Sequence, residues 1–201
     1  MFKKIGMLIA AVIILVSSTS SAFAGYYSFV PNDHDIFDLD HYKYYSWGIN
    51  WTPNPNEYIV SATLKISNIN NWQVEENDNL YIHLLDQANL NLTTFDDNQL
   101  GGDNFLGWSS DQILLDTFTD TADYPGPAEN YIYNLTPDQL AKLRAYSLDG
   151  RFGLGFDADC HYWNDGVKFK IITAPVPEPA TMALFATGLL GGIGLRRRKV
   201  S

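Results

Sequence analysis

The sequence predicts an all-β fold for residues 25–175: an antiparallel two-sheet β-sandwich, jelly-roll-like, with one short helix. Three observations predict it. Apolar residues recur at every second position in several separate segments, the period of a strand with one buried face. Turn-forming clusters separate those segments: Pro53-Asn54-Pro55-Asn56, Gly101-Gly102-Asp103-Asn104, Pro125-Gly126-Pro127 and Asn164-Asp165-Gly166. A single stretch has helical spacing with proper ends. Several one-faced strands joined by turns must bury those faces against each other, which makes a sandwich. No repeat of 20 to 50 residues points to a solenoid or propeller.

Taken in chain order, Tyr45, Trp47, Ile49 and Trp51 form a bulky strand face. Between Ile59 and Ile66, Val60, Ala62, Leu64 and Ile66 point one way and Ser61, Thr63 and Lys65 the other. Leu80, Ile82 and Leu84 repeat the period, with Tyr81 and His83 opposite. Shorter strands are expected at Ile113–Phe118 and Tyr131–Leu135. Thr136-Pro137-Asp138-Gln139 then supplies an N-cap, a proline at the first helical position and a capping-box glutamine. Leu140 and Leu143 follow at helical spacing, with Tyr146 or Ser147 next, and Asp149-Gly150 stops the helix. Phe152, Leu154 and Phe156, then Val167, Phe169 and Ile171, complete the strands.

Both ends of the chain differ from this domain. Residues 1–24 read as a secretory signal peptide: Lys3 and Lys4, an apolar run from Ile5 to Val16, small polar residues, then Ala22-Phe23-Ala24 before Gly25. Signal peptidase would cut after Ala24. Residues 176–201 pair Pro177-Glu178-Pro179 with an apolar segment, Ala180 to Leu195, closed by Arg196, Arg197, Arg198 and Lys199. The basic cluster is expected to stay cytoplasmic and leave the domain outside. As a transmembrane helix of about 16 residues, the segment would reach only ~24 Å against a ~30 Å hydrocarbon core. That suits temporary retention better than a lifelong anchor.

Pro-Glu-Pro, a short apolar helix and an Arg-rich terminus in that order resemble the PEP-CTERM sorting signal. The resemblance implies a Gram-negative host and processing by exosortase, a membrane-embedded transpeptidase-like enzyme found with exopolysaccharide production. It implies an exported protein, held briefly in the inner membrane and then placed on the outer envelope surface or in an exopolysaccharide biofilm matrix. It does not speak to the domain's own chemistry.

Within residues 25–175 there are seven Lys and Arg against 22 Asp and Glu, a net charge near −15. Such a field repels nucleic acid and anionic headgroups, and suits cations, neutral glycans or basic partners. Cys160 is the lone cysteine of the chain, so an internal disulfide or Cys-based zinc site is excluded; it is expected to be a buried small hydrophobe.

No nucleophile elbow, phosphate loop or His-Glu-x-x-His motif occurs, and no catalytic residues are assigned. A binding or structural role, associated with polysaccharide, is expected rather than an enzyme; a secreted polysaccharide hydrolase is the alternative. Calcium is the cofactor the residues suggest. Asp157, Asp159 and His161 would share the polar face of one strand while Phe156, Ala158 and Cys160 face the core, and Asn164-Asp165 turns the chain beside them. Asp157, Asp159, Asn164 and Asp165 thus form the candidate metal set, oxygen-rich as calcium requires. His34 and His41 lie among Asp33, Asp35, Asp38 and Asp40, a second acidic stretch able to hold a metal. Trp47 and Trp51 are expected in the core, whereas Trp72, Trp108 and Trp163 sit beside turns, where a ring can stack on sugar. A short acidic sandwich with turn-borne aromatics is similar in architecture to carbohydrate-binding modules.

Overall fold

The computed structural model describes residues 24–32, 35–72, 78–97, 101–120 and 127–176. The expected signal segment up to Phe23 and the sorting tail from Pro177 onward lie outside the described residues. Among the described residues no helix is long and apolar enough to cross a membrane.

Eleven strands are described: β1 (Tyr26–Phe29), β2 (Asp38–Leu39), β3 (Lys43–Asn50), β4 (Glu57–Asn71), β5 (Leu80–Leu85), β6 (Asn91–Asp96), β7 (Gln112–Phe118), β8 (Glu129–Asn134), β9 (Arg151–Ala158), β10 (Tyr162–Trp163) and β11 (Val167–Pro175). One sheet runs β1-β11-β4-β10-β2, with β8 also on β4, and the other β6-β3-β9-β5-β7. Setting aside β2, β6 and β10 leaves eight strands with a simple rule. The first pairs the last (β1 with β11), the second the seventh (β3 with β9), the third the sixth (β4 with β8) and the fourth the fifth (β5 with β7), all antiparallel. A hairpin ribbon rolled up in this way is a jelly roll, as the sequence predicts.

The apolar faces meet between the sheets. Tyr45, Trp47 and Ile49 of β3, Leu80, Ile82 and Leu84 of β5, and Phe152, Leu154 and Phe156 of β9 are buried against Leu64, Phe169 and Ile171 of the other sheet. One expectation fails on β4. Val60 is only partly buried while Ile59 is fully buried, because the register against β11 slips between Ile172 and Thr173. A β-bulge inserts one residue and flips the phase of everything before it.

The helix, α1 (Pro137–Tyr146), has the expected start: Thr136 accepts from the Gln139 amide and Gln139 reaches back to Thr136. Leu140, Leu143, Tyr146 and Ser147 are buried. A short 3-10 turn follows, and Gly150 ends it in the left-handed region at φ 86°, where a side chain would be strained.

A second, smaller layer covers the outer face of the β3-β9-β5 sheet. The segment from Gly101 to Trp108 lays Phe105 over Gly155, whose absent side chain makes the room: a Cβ there would lie 2.5 Å from the ring. Tyr44, Leu85, Ala88 and Trp108 pack with Phe105. This layer explains why His83, expected on an exposed polar face, is fully buried.

Candidate functional site

Among the described residues, two of the places where polar and titratable groups gather contain the residues singled out in the sequence. The first lies where the short strands β2 and β10 add to the end of β4. Tyr162 pairs with Leu39 and Asn71, and Trp163 with Asp38 and Asn70. The buried Tyr45 fixes the β2 side, its hydroxyl donating to the Asp38 carbonyl at 3.1 Å and accepting from the Asp40 amide at 3.1 Å. Asn164 fixes the approach from the other side, its side-chain amide donating to the Ile36 carbonyl. This frame brings together residues remote in sequence. His161 Nε2 lies 2.6 Å from Asp38 Oδ1, and donor atoms of Asp40, His41 and His161 lie within 4.8 Å of one another.

Aromatic rings continue outward from this cluster. Tyr42 contacts His41 with ring centres 4.0 Å apart, His41 contacts His161 at 5.8 Å, His161 contacts Trp163 at 6.3 Å, and Trp163 contacts Trp72 at 5.0 Å. The two ends of this ladder, Tyr42 and Trp72, are 54% and 53% exposed. Trp108, by contrast, packs against Phe95 and Phe105 within the second layer. Two of the three turn-borne tryptophans therefore converge on one edge and the third does not.

The second polar place is under the Gly101–Trp108 segment. Asp157 Oδ2 accepts from the backbone and side-chain amides of Asn104 at 2.6 and 3.1 Å, while Oδ1 is buried with no partner among the described residues. Burial pushes the Asp157 carboxyl up to about 7, against the pull of the Asn104 hydrogen bonds and with the help of Asp97 and Asp103. Asp159 accepts from the Gly102 amide at 2.6 Å. His83 lies between Asp103 at 3.0 Å and Gln112 at 2.6 Å.

The structure divides the sequence-derived calcium set into two pairs. Asp157 and Asp159 serve the Gly101–Trp108 segment, whereas Asn164 holds Ile36 and Gly166, and Asp165 accepts from Asn68 across the other sheet. Among the described residues, Asp157, Asp159 and Asp165 do not converge as a group. His161 also leaves the face expected for it. β9 ends at Ala158 and the chain bends at Asp159-Cys160, so the two-residue period stops before His161 and delivers it to Asp38. Cys160 is buried as expected, its thiol donating to Asn71 at 3.1 Å. Asp33 and His34 lie outside the described residues.

A shallow cleft elsewhere, beside Ser28, Trp47, Asn50 and Asn91, carries no titratable side chain among the described residues of its lining.

The end of the domain bears on the chain's export. β11 pairs with β4 up to Pro175 opposite Glu57, and the Val176 amide still donates to Asn56 at 2.8 Å. The segment that begins there, residues 175–199, matches the family described as the PEP-CTERM protein-sorting motif. The chain carries a PEP-CTERM sorting signal. It is accordingly an exported protein, passed across the membrane to the cell surface with exosortase as its processing partner. The PEP-CTERM match begins at Pro175, the last residue of β11. No curated protein matches the chain. Among solved structures it is similar to that of tomato aspermy virus, at 9% identity over 86% of this chain and 97% of that one, with a TM-score of 0.26, too loose a superposition to carry an argument.

Proposed function

We propose that this PEP-CTERM protein binds neutral polysaccharide outside the cell, through the aromatic edge formed by β2 and β10, after signal peptidase has removed residues 1–24. The observation that carries this reading is the ring ladder from Tyr42 to Trp72, flanked by the carboxylates of Asp38 and Asp40. Half-exposed aromatic faces offer flat apolar area to the C–H faces of a sugar, and adjacent carboxylates accept from its hydroxyls. Exposed apolar clusters of this kind mark binding surfaces more often than ornament. A domain charge near −15 favours a neutral polymer over an anionic one. Its place, in this reading, is the outer envelope or the exopolysaccharide matrix of a biofilm.

Hydrolysis is the second reading, and one observation favours it: a carboxyl titrating near 7 is what a glycosidase general acid requires. Asp157 is that carboxyl, but it is 1% exposed beneath Asn104 and Phe105, out of a substrate's reach. Binding is therefore the role we assign. A glycan array run beside a turnover assay on the host's own polysaccharide separates the two. Binding without new reducing ends supports the assignment, and release of reducing ends that is lost in Asp157→Asn would overturn it.

A further inference from the structure

We infer that Asp40, His41 and His161 form a binding site for a divalent transition metal of the zinc type, with Asp38 as its supporting carboxylate. This goes beyond polysaccharide binding and does not depend on it.

Geometry comes first. Tetrahedral zinc with bonds of about 2.0 to 2.1 Å holds its donors roughly 3.3 Å apart. The three donor atoms already lie within 4.8 Å of one another, so side-chain rotations of about an ångström close the set. All three side chains are partly exposed, with 29% of Asp40, 33% of His41 and 29% of His161 accessible. A hydrated ion can reach them and keep a water in its fourth position.

Donor chemistry then selects the metal class. Two imidazoles and one carboxylate suit zinc, copper or nickel, whereas calcium and magnesium take oxygen ligands. Metal-bound histidines usually give their other ring proton to a carboxylate, which fixes the ring and raises its donor strength. Asp38, 2.6 Å from His161 Nε2, is placed for that task. The site is also built on a held frame. Tyr45 clamps the Asp38 and Asp40 backbone, the Tyr42 amide donates to Asp40 Oδ1 at 3.0 Å, and the His161 carbonyl accepts from Trp72 at 2.8 Å. Finally, the surplus of acidic residues concentrates cations around the domain.

The test titrates the exported protein, purified from its host and stripped with chelator, with zinc chloride in a calorimeter. One ion per chain is expected. His161→Ala and His41→Ala should each weaken binding at least about 100-fold, and Asp38→Asn about 10- to 100-fold, the range for supporting carboxylates. Asp149→Asn, whose carboxylate serves the Gln87 side chain and the Arg151 amide, should leave zinc affinity unchanged. In the unmutated protein, zinc should shift the ring resonances of His41 and His161 and leave those of the buried His83 in place. That readout holds whether or not a variant folds. Zinc affinity equal in all proteins, or no shift at His41 and His161, would overturn the site.

Discussion

Replacing Asp157 with asparagine should stabilise the domain, and more so as pH rises. Asp157 is buried, its Oδ1 has no partner among the described residues, and Asp97 and Asp103 add negative charge nearby. Its carboxyl titrates near 7 in the folded chain against an ordinary value of 3.8. Between those values the folded state binds more protons than the unfolded one, so this group makes stability fall as pH rises from about 4 to 7, with no further change above. Three units correspond to roughly 4 kcal/mol, an upper figure that relaxation and water access reduce to roughly 2 to 4 kcal/mol. Asparagine keeps the shape and an oxygen for the Asn104 amides but carries no charge. At pH 8 the variant should melt about 4 °C or more above the parent, at 2 to 4 °C per kcal/mol for a domain of this size. Near pH 4 the two should melt together. Melting curves of both proteins from pH 4 to 8, followed by circular dichroism, are the assay. A difference between parent and variant that does not grow with pH would refute the electrostatic argument.

Three further outcomes are expected. Gly25→Ala should lower the melting temperature by a few degrees, because its Cβ would lie 2.5 Å from Thr173 Oγ1 and 3.0 Å from Glu57 Oε2, and crowding of this kind costs about 1 to 3 kcal/mol; an unchanged melting point would mean that the first residues are not docked as described. Melting of the chelator-stripped protein with and without millimolar calcium should coincide, since Asp157, Asp159 and Asp165 do not converge among the described residues, and a calcium-dependent rise lost in Asp157→Asn would restore calcium to that site. Intact-mass measurement of envelope material should give a chain that starts at Gly25 and lacks Arg196 to Arg198; retention of those arginines, or indifference to deleting exosortase, would contradict the processing scheme.

What the sequence made legible, and what it did not, follows from where the signal resides. The strands that carry the core, such as Leu80–Leu84 and Phe152–Phe156, place large apolar residues at every second position, where the face turned to the opposite sheet needs them, with histidine, tyrosine or glycine between them on the face that the Gly101–Trp108 segment covers. The helix was readable from its cap, since Thr136 and Gln139 act locally. β1 alternates only between exposed and half-buried residues over four positions, β6 is half-buried along most of its length, and β2 and β10 are two residues long. Val60 was misplaced by a bulge that only pairing with β11 reveals, and His83 by a covering segment that only the folded chain brings over it. The candidate edge was half legible. Asp38, Asp40 and His41 stood out as an acidic, histidine-bearing stretch, and Trp72 and Trp163 as turn-borne rings. Nothing in the sequence could join them, because the join is made by β2–β10 pairing and by the bend after Ala158 that carries His161 off its expected face. The sorting signal needed no fold at all, since its three parts lie in order along the chain.

The most direct test of the account is affinity electrophoresis of the exported protein through gels containing the host's exopolysaccharide, with Trp72→Ala beside it. Trp72 sits at the exposed end of the ladder, 53% accessible, so its removal should spare the fold while removing one stacking face. The parent should be retarded in proportion to polymer concentration, and the variant at least several-fold less. A parent that migrates as though the gel were empty, or a variant retarded as strongly as the parent, would contradict it.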